Sequence, residues 1–184
     1  MKKLFVTTFL SVTLISCSNE QISENEGSCF SNGTSTYQWT MVTTWPKNFP
    51  GLGLAPENFS KYIEEMTCGR MKIKVYGAGE FVPAMGVFDA VSQGNVQLGH
   101  GASYYWTGKV KSSQFFTAVP FGLTAQEMNG WLHYGGGLEL WQEAYEPFNL
   151  IPLAGGNTGV QMAGWFKKEI NSLDAVSYTH LTQP

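Results

Sequence analysis

Apolar residues recur with two different periods along the first half of the chain, and the two periods alternate. The runs Trp39–Thr44 and Met71–Tyr76 are rich in apolar and β-branched residues, and the second alternates them with lysine, which is typical of strands. Between them, Pro56–Met66 repeats apolar residues at three- and four-residue intervals, which predicts one face of a helix. The residues on that predicted face are Phe59, Tyr62, Ile63 and Met66.

The second half continues the same alternation. Pro83 is expected to open a second helix, and Val96–Gly99 is expected to form a short strand. Thr124–Glu127 has the pattern of a capping box that opens a further helix. Asn149–Leu153 and Val160–Phe166 are interpreted as strands. Alternating strands and helices predict an α/β fold with a largely parallel sheet.

The amino terminus has the pattern of an export signal. Lys2 and Lys3 precede the apolar run Leu4–Ile15, which is shorter than the roughly 20 residues needed to span a bilayer. The following Ser16-Cys17 resembles the junction of a bacterial lipobox, which predicts lipidation at Cys17. Residues 1–17 are therefore interpreted as a lipoprotein signal peptide, and the protein as an extracytoplasmic, periplasmic lipoprotein anchored to a membrane. The alternative is an ordinary cleaved signal that happens to contain a cysteine.

Composition narrows the classes of function. Residues 18–37 are rich in polar residues and glycine and are expected to form a flexible tether. The net charge of −3 argues against nucleic acid as a partner, since nucleic acid demands a basic surface. An oxidising compartment permits a disulfide, but the location of Cys29 in the tether argues against a bridge to Cys68.

Candidate binding residues follow the predicted strands. In a parallel α/β sheet, ligands bind at the carboxyl ends of the strands. The segments expected there are Trp45-Pro46, Gly77–Glu80, Gly101–Trp106, Phe121 and Asn157–Gln161.

Four of the chain's segments together resemble the solute receptors of TRAP transporters (the DctP-type family). More narrowly, they are similar to the receptors for 2-oxo and 2-hydroxy monocarboxylates. The segments are Thr43–Gly53, Val75–Lys109, Gln114–Glu143 and Gly155–Asp174. The resemblance covers nearly all of Trp39–Asp174, and it is the combination of segments that is specific.

The resemblance implies a two-lobed fold of the type II periplasmic binding proteins. Residues 38–156 would form the first lobe, residues 157–174 would begin the crossover into the second, and residues 175–184 match no family sequence. Family members are about twice as long as this chain. The resemblance also implies delivery of a small carboxylate to membrane permease subunits driven by an ion gradient. It leaves open whether the full-length protein is a homodimer.

The resemblance assigns roles to individual residues. Gln161 matches the family's cation-binding glutamine, with Na⁺ or Ca²⁺ bound together with the ligand and no prosthetic group. Asn157 matches a position that hydrogen-bonds ligand oxygens. Tyr104 and Tyr105 offer phenolic donors and ring walls, and Trp45 and Phe121 are expected to form the apolar side of the pocket. The family's carboxylate-clamping arginine would lie beyond this chain.

Two other classes of function remain as alternatives, namely an extracytoplasmic lipoprotein hydrolase and a ligand sensor. The sequence contains none of the usual nucleophile or metalloprotease motifs, so the chain is predicted not to be an enzyme. Glu80 and Asp89 are the carboxylates that a hydrolase would have to pair. His100 and His133 are interpreted as packed or surface histidines.

Overall fold

The computed structural model describes residues 35–162, 166 and 169–172. Its strands are β1 (Tyr37–Thr43), β2 (Met71–Tyr76) and β3 (Leu98–His100). Its α-helices are α1 (Leu54–Met66), α2 (Val87–Ser92), α3 (Ala125–Tyr134) and α4 (Gly137–Tyr145). Short 3₁₀ helices cover Ala84–Gly86, Ser103–Trp106, Ser113–Phe116 and Glu146–Phe148.

The three strands form one parallel sheet in the order β2-β1-β3. Met41 of β1 lies opposite Val75 of β2 and Leu98 of β3, which fixes the register on both sides of the central strand. All three strands therefore end at the same edge of the sheet. The parallel α/β arrangement predicted from the alternating pattern is confirmed.

The main core lies between β1, α2 and the aromatic residues that follow β3. Val42 is 1% exposed, and it belongs to one buried cluster with Phe88, Trp106 and Tyr145. The Phe88 ring makes an edge contact with Tyr145 and a tilted contact with Trp106, each at 5.6 Å between centroids. Aromatic pairs in such arrangements add about 0.5–1.5 kcal/mol beyond the area they bury.

The helix α3 begins where the sequence predicts it to begin. The Thr124 hydroxyl accepts a hydrogen bond from the Glu127 backbone N–H, and the Glu127 carboxylate accepts one from the Thr124 backbone N–H. This capping box satisfies two backbone donors that the first helical turn leaves open. It also holds the pKa of Glu127 below its usual value.

The orientation of α1 differs from the expectation. Phe59, Tyr62 and Met66 are exposed, Met66 to 80%, whereas the helix turns Pro56 inward. The Ser60 hydroxyl donates to the carbonyl oxygen of Ile73 in β2 at 2.5 Å. This small polar residue brings the helix close to the strand on that side, so the aromatic face looks outward. The helix also starts at Leu54, two residues before the proline that was expected to open it.

The predicted strands near the carboxyl end are wrong within the described residues. Asn149–Leu153 is not a strand, and neither are residues 160–162 nor Phe166. Ile151 is 82% exposed and Val160 is 95% exposed. A strand needs a neighbouring strand to take its backbone hydrogen bonds, and the described sheet provides none for these segments.

Some expectations lie outside the described residues, including the signal peptide 1–17 with Cys17, most of the 18–37 tether and the 175–184 tail. Cys68, in the turn between α1 and β2, is disulfide-bonded, whereas the expected absence of a bridge to Cys29 concerns a residue outside the described part of the chain. Across the part of the chain that the structure describes, no helix has the length and apolarity needed to cross a membrane.

Candidate ligand site at the carboxyl edge of the sheet

Three aromatic side chains meet where β1 and β3 end. Trp45 follows β1, and its ring lies 5.0 Å from His100, the last residue of β3. The same indole lies 6.1 Å from the ring of Tyr105. Because the strands are parallel, residues that are 55 or more positions apart in the sequence come together here, as expected for a ligand site in an α/β fold.

The turn after Trp45 is packed too tightly for a side chain at its end. A Cβ atom built on Gly53 would lie 2.4 Å from the carbonyl oxygen of Pro46 and 2.5 Å from the Phe49 nitrogen. The Gly53 N–H also donates to the Phe49 carbonyl at 2.9 Å. Only glycine fits this position, and the compact turn brings the backbone of Leu52 to the His100 ring.

The two tyrosines are held by the 3₁₀ helix Ser103–Trp106. Ser103 is buried, and its hydroxyl donates to the Ser113 carbonyl at 2.5 Å. Trp106 is buried in the main core, while Tyr104 and Tyr105 are only partly buried. Their rings make an edge contact at 4.7 Å. The core thus fixes one side of this turn and leaves both phenols at the sheet edge.

Tyr104 is a neutral phenol at physiological pH. Burial, together with hydrogen bonding to Tyr105 and charge repulsion from it, raises the pKa of Tyr104 to about 12. A hydrogen bond with the Gln161 side chain opposes the rise. The last contact joins the tyrosine pair to the predicted cation ligand.

The segment 155–161 contacts this aromatic group at both of its ends. A Cβ atom on Gly155 would lie 3.7 Å from Cε1 and Nδ1 of His100, and Gln161 contacts Tyr104. Between them, Asn157 Oδ1 accepts a hydrogen bond from the Gly159 N–H at 2.7 Å. This turn uses one amide oxygen of Asn157 and leaves the amide nitrogen as a donor.

Gln161 is oriented by its own turn. Its amide nitrogen donates to the Thr158 hydroxyl at 3.3 Å. The amide nitrogen only donates hydrogen bonds, so the carbonyl oxygen is the atom that would coordinate a cation. Amide carbonyls are suitable ligands for hard cations such as Na⁺ and Ca²⁺. The structure therefore brings three of the predicted binding residues and the predicted metal ligand together, namely Trp45, Tyr104, Tyr105 and Gln161. Asn157 lies in the turn that precedes Gln161, and its contact with the ligand stays a prediction.

Phe121 is not brought into this group. It is fully exposed, with a φ of 59° in the turn after Pro120. The adjoining residues line a separate apolar groove of about 390 Å³. That groove is formed by Phe115, Val119, Gly122, Leu123, Met128 and Trp131. The role of Phe121 as a pocket wall stays a prediction.

His100 is a member of the site that sequence reasoning assigned only to packing or to the surface. Burial lowers the pKa of its imidazole, and the backbone of Leu52 partly opposes this, so the ring is neutral near pH 7. Its Nε2 is buried and has no hydrogen-bond partner among the protein atoms. Its position at the carboxyl end of β3 was the available signal, since it precedes the predicted Gly101–Trp106 segment directly.

Glu80 and Asp89, the carboxylates that a hydrolase would have to pair, each form an ion pair with a lysine instead. Glu80 lies 3.2 Å from Lys47, and the Gly77 N–H holds the pKa of Glu80 below its usual value. Asp89 lies 2.9 Å from Lys109. Within residues 35–162 and the few described beyond them, no cluster of three or more His, Cys, Asp or Glu side chains could hold a metal ion.

Comparison with known proteins identifies the family that this chain resembles. Residues 41–177 match the family model of bacterial extracellular solute-binding proteins, family 7. The chain is 45% identical over 160 residues to the monocarboxylate 2-oxoacid-binding periplasmic protein of Nostoc sp., covering 87% of this chain and 42% of that relative.

Two solved structures are similar in fold and in sequence. The TRAP periplasmic solute-binding protein of Pseudoalteromonas atlantica, with bound sodium and pyruvate, is 48% identical with a TM-score of 0.73. That of Colwellia psychrerythraea, with bound calcium and pyruvate, is 46% identical with the same TM-score. Each match covers 76% of this chain and 43% of the other. The chain therefore spans less than half the length of these relatives, and it belongs to family 7 of the bacterial extracellular solute-binding proteins.

Proposed function

We propose that this chain is part of the extracytoplasmic receptor of a TRAP-type importer, and that the receptor captures a small 2-oxo or 2-hydroxy acid together with a cation. The observation that carries this proposal is the joining of Gln161 to the aromatic group through Tyr104. It puts an oxygen ligand for a hard cation beside neutral phenolic donors, in a chain whose relatives hold pyruvate with sodium or with calcium.

The chemistry of the described wall suits such a ligand. Trp45 presents a ring that matches a short acyl chain, and Asn157 keeps an amide donor for a ligand oxygen. The Gln161 carbonyl provides one oxygen to the cation. The cation needs several more oxygen ligands, which the carboxylate itself and the second lobe of a full-length receptor would supply.

The same proposal covers partners and location. Membrane permease subunits would take the ligand from the receptor, and the receptor would work outside the cytoplasm, in the periplasm. The disulfide at Cys68 fits an oxidising compartment. Lipidation at Cys17 and anchoring to a membrane remain part of the proposal, as does a homodimeric receptor. We infer that the receptor performs no catalysis, since its family is one of binding proteins.

Calorimetric titration of the full-length receptor with pyruvate, with Na⁺, with Ca²⁺ and with neither, tests the proposal. We expect binding that depends on the cation. The 184-residue chain, which carries one wall of the site, is expected to bind very weakly under the same conditions.

Gln161→Met keeps the length of the side chain and removes the amide oxygen. We expect this variant to lose the cation dependence and at least about tenfold in affinity, since an interaction worth about 1.4 kcal/mol corresponds to a factor of ten. Gln126→Met, on the exposed surface of α3, is the matched control and should bind normally. Failure of the full-length receptor to bind any short carboxylate would refute the proposed function.

A further inference from the structure

Three buried side-chain atoms near the core side of the tyrosine pair find no hydrogen-bond partner among the described protein atoms. They are Oγ of Ser113, Nε1 of Trp141 and the hydroxyl oxygen of Tyr145. Ser113 is 0% exposed and Tyr145 is 5% exposed. Buried polar groups are bonded in the great majority of cases, so three orphaned ones in one region call for a bound molecule.

The packing of α4 brings these atoms together. Ser113 begins the 3₁₀ helix Ser113–Phe116, whose last residue stacks its ring on Trp141 at 5.5 Å between centroids. Trp141 and Tyr145 are one turn apart on α4, and their rings make an edge contact at 5.9 Å. Ser103 lies beside Ser113, since its hydroxyl donates to the Ser113 carbonyl at 2.5 Å. The orphaned atoms therefore come from two elements that pack against each other.

The hydroxyl of Tyr145 has polar neighbours to which it does not bond. Burial raises the pKa of Tyr145, and the side chains of Trp141 and Ser103 partly oppose this rise, which requires both to lie close to the phenol. Neither contact has the geometry of a hydrogen bond, however. Polar groups that are close together but not bonded are suited to a bridging water.

We propose that one buried water molecule binds Ser113, Trp141 and Tyr145 together, and that it fastens α4 to the 3₁₀ helix Ser113–Phe116. The water accepts the hydrogen bond of the Trp141 N–H, which can only donate. It exchanges hydrogen bonds with the other two hydroxyls, each of which can donate or accept. Buried waters make about three hydrogen bonds, which matches the three orphaned atoms. The inference adds a binding site and does not rest on the proposed function.

The protons of the neighbouring hydroxyls are already in use. Ser103 gives its proton to the Ser113 carbonyl, so its 2.8 Å contact with the Thr117 hydroxyl takes the Thr117 proton. Neither hydroxyl has a proton left for Tyr145. None of these side chains is charged, and burying an ion without a counter-charge is expensive. The cluster therefore selects a neutral water over an ion.

The water would also support the candidate ligand site from behind. Tyr104 and Tyr105 belong to the same 3₁₀ helix as Ser103, and the bond from Ser103 to Ser113 joins that helix to the proposed water site. The water thus links α4 to the turn that carries both tyrosines.

A high-resolution crystal structure of the full-length receptor tests the site directly. We expect one ordered water within about 2.7–3.2 Å of Trp141 Nε1 and about 2.5–3.0 Å of the Ser113 and Tyr145 hydroxyl oxygens. Electron density without a water between these three side chains would overturn the proposal, whether or not they then bond to one another.

A pair of variants tests whether one molecule joins the two hydroxyls. Ser113→Ala and Tyr145→Phe each remove a hydroxyl, and each should lower the urea midpoint of the full-length receptor. The double variant should lose clearly less than the sum of the single losses, because the first change already breaks the bridge. Losses that add up would show that the hydroxyls act independently and would refute a shared water.

Tyr134→Phe, which removes a hydroxyl at a position 93% exposed, is the matched control and should leave the midpoint unchanged. If a variant does not fold, the crystal structure of the unaltered receptor still decides between a water and none.

Discussion

The two walls of the candidate site are built in opposite ways. The aromatic wall is fixed by the core. Trp106 is buried there, and Tyr104 and Tyr105 belong to the same 3₁₀ helix, so the burial of Trp106 positions both tyrosines. The wall 155–161 has exposed side chains and no regular structure, and short turns such as the Asn157–Gly159 turn shape it. Stability is therefore expected to depend on the aromatic wall, and binding also on the wall 155–161. Substitutions that alter the free energy of unfolding or the affinity for ligand, but not both, test this contrast.

The largest effect is expected from Phe88→Ala. Phe88 is buried and contacts Trp106, Tyr145 and Phe148, so its removal leaves a cavity and should lower the free energy of unfolding by about 3–5 kcal/mol. Urea denaturation followed by tryptophan fluorescence measures it. Ile151→Ala, at a position 82% exposed, is the control and should change the free energy by less than about 0.5 kcal/mol. Similar losses of unfolding free energy in both variants would show that the core does not contribute more to stability than the exposed segment does.

A smaller effect is expected from Gly99→Ala in β3. A Cβ atom there would lie 2.9 Å from the γ-carbons of Val87 and Val91 on α2, and overpacking of this kind costs about 1–3 kcal/mol. Gly108→Ala places its methyl group in open space and should be close to neutral. Thermal unfolding of the two variants side by side decides the matter, and equal midpoints would show that α2 is not packed tightly on the sheet.

The outer wall should respond in binding and not in stability. Asn157→Ala removes the acceptor of an exposed turn, so we expect the free energy of unfolding of the full-length receptor to change by less than about 0.5 kcal/mol. Affinity for pyruvate should fall about tenfold if the amide donor meets a ligand oxygen. Paired denaturation and calorimetry measure both. A large loss of stability with unchanged affinity would reverse the roles of the two walls.

The smallest effect concerns pH. Burial lowers the pKa of His100 below the 6.5 of a free histidine side chain, so the unfolded chain binds this proton more readily than the folded one. Stability contributed by the neutral ring is therefore present above pH 6.5 and is lost as the pH falls below it. The groups against the ring are Trp45, Gly155 and the Leu52 backbone, none of which titrates. Between pH 7 and pH 5 the wild type should lose more stability than His100→Gln, and parallel curves would exclude the effect.

Sequence patterns anticipated the parts of the fold that local chemistry decides. The alternation in Met71–Tyr76 predicts a strand, and the Thr124–Glu127 capping box predicts the start of a helix. Both predictions are confirmed. The spacing in α1 identified a helix face but could not say which face meets the sheet, since Ser60 decides that through a hydrogen bond to another element. The runs at 149–153 and 160–166 have the composition of strands. A strand also needs a neighbouring strand to bond with, and composition cannot show whether one is present.

The candidate site divides in the same way. Parallel topology was enough to expect Trp45 and Tyr105 near one edge, and the structure places them there. Gln161 contacts Tyr104, although the strand that was expected to precede its segment is not formed. The sequence placed His100 directly before the Gly101–Trp106 segment, but its contact with Trp45 appears only after folding. Phe121 carried the same apolar signal as Trp45 and lies elsewhere, since its positive φ turns the chain at that point.

The closely packed turn that ends at Gly53 has a consequence for how this protein tolerates change. Even alanine would bring a carbon atom within 2.4 Å of the Pro46 oxygen, so a library of all substitutions at this codon should return glycine alone after selection for uptake. The neighbouring Leu54, whose side chain is exposed, should accept many replacements. A single intolerant codon beside a permissive one would locate, from growth alone, the tightly packed turn between the central strand and its first helix.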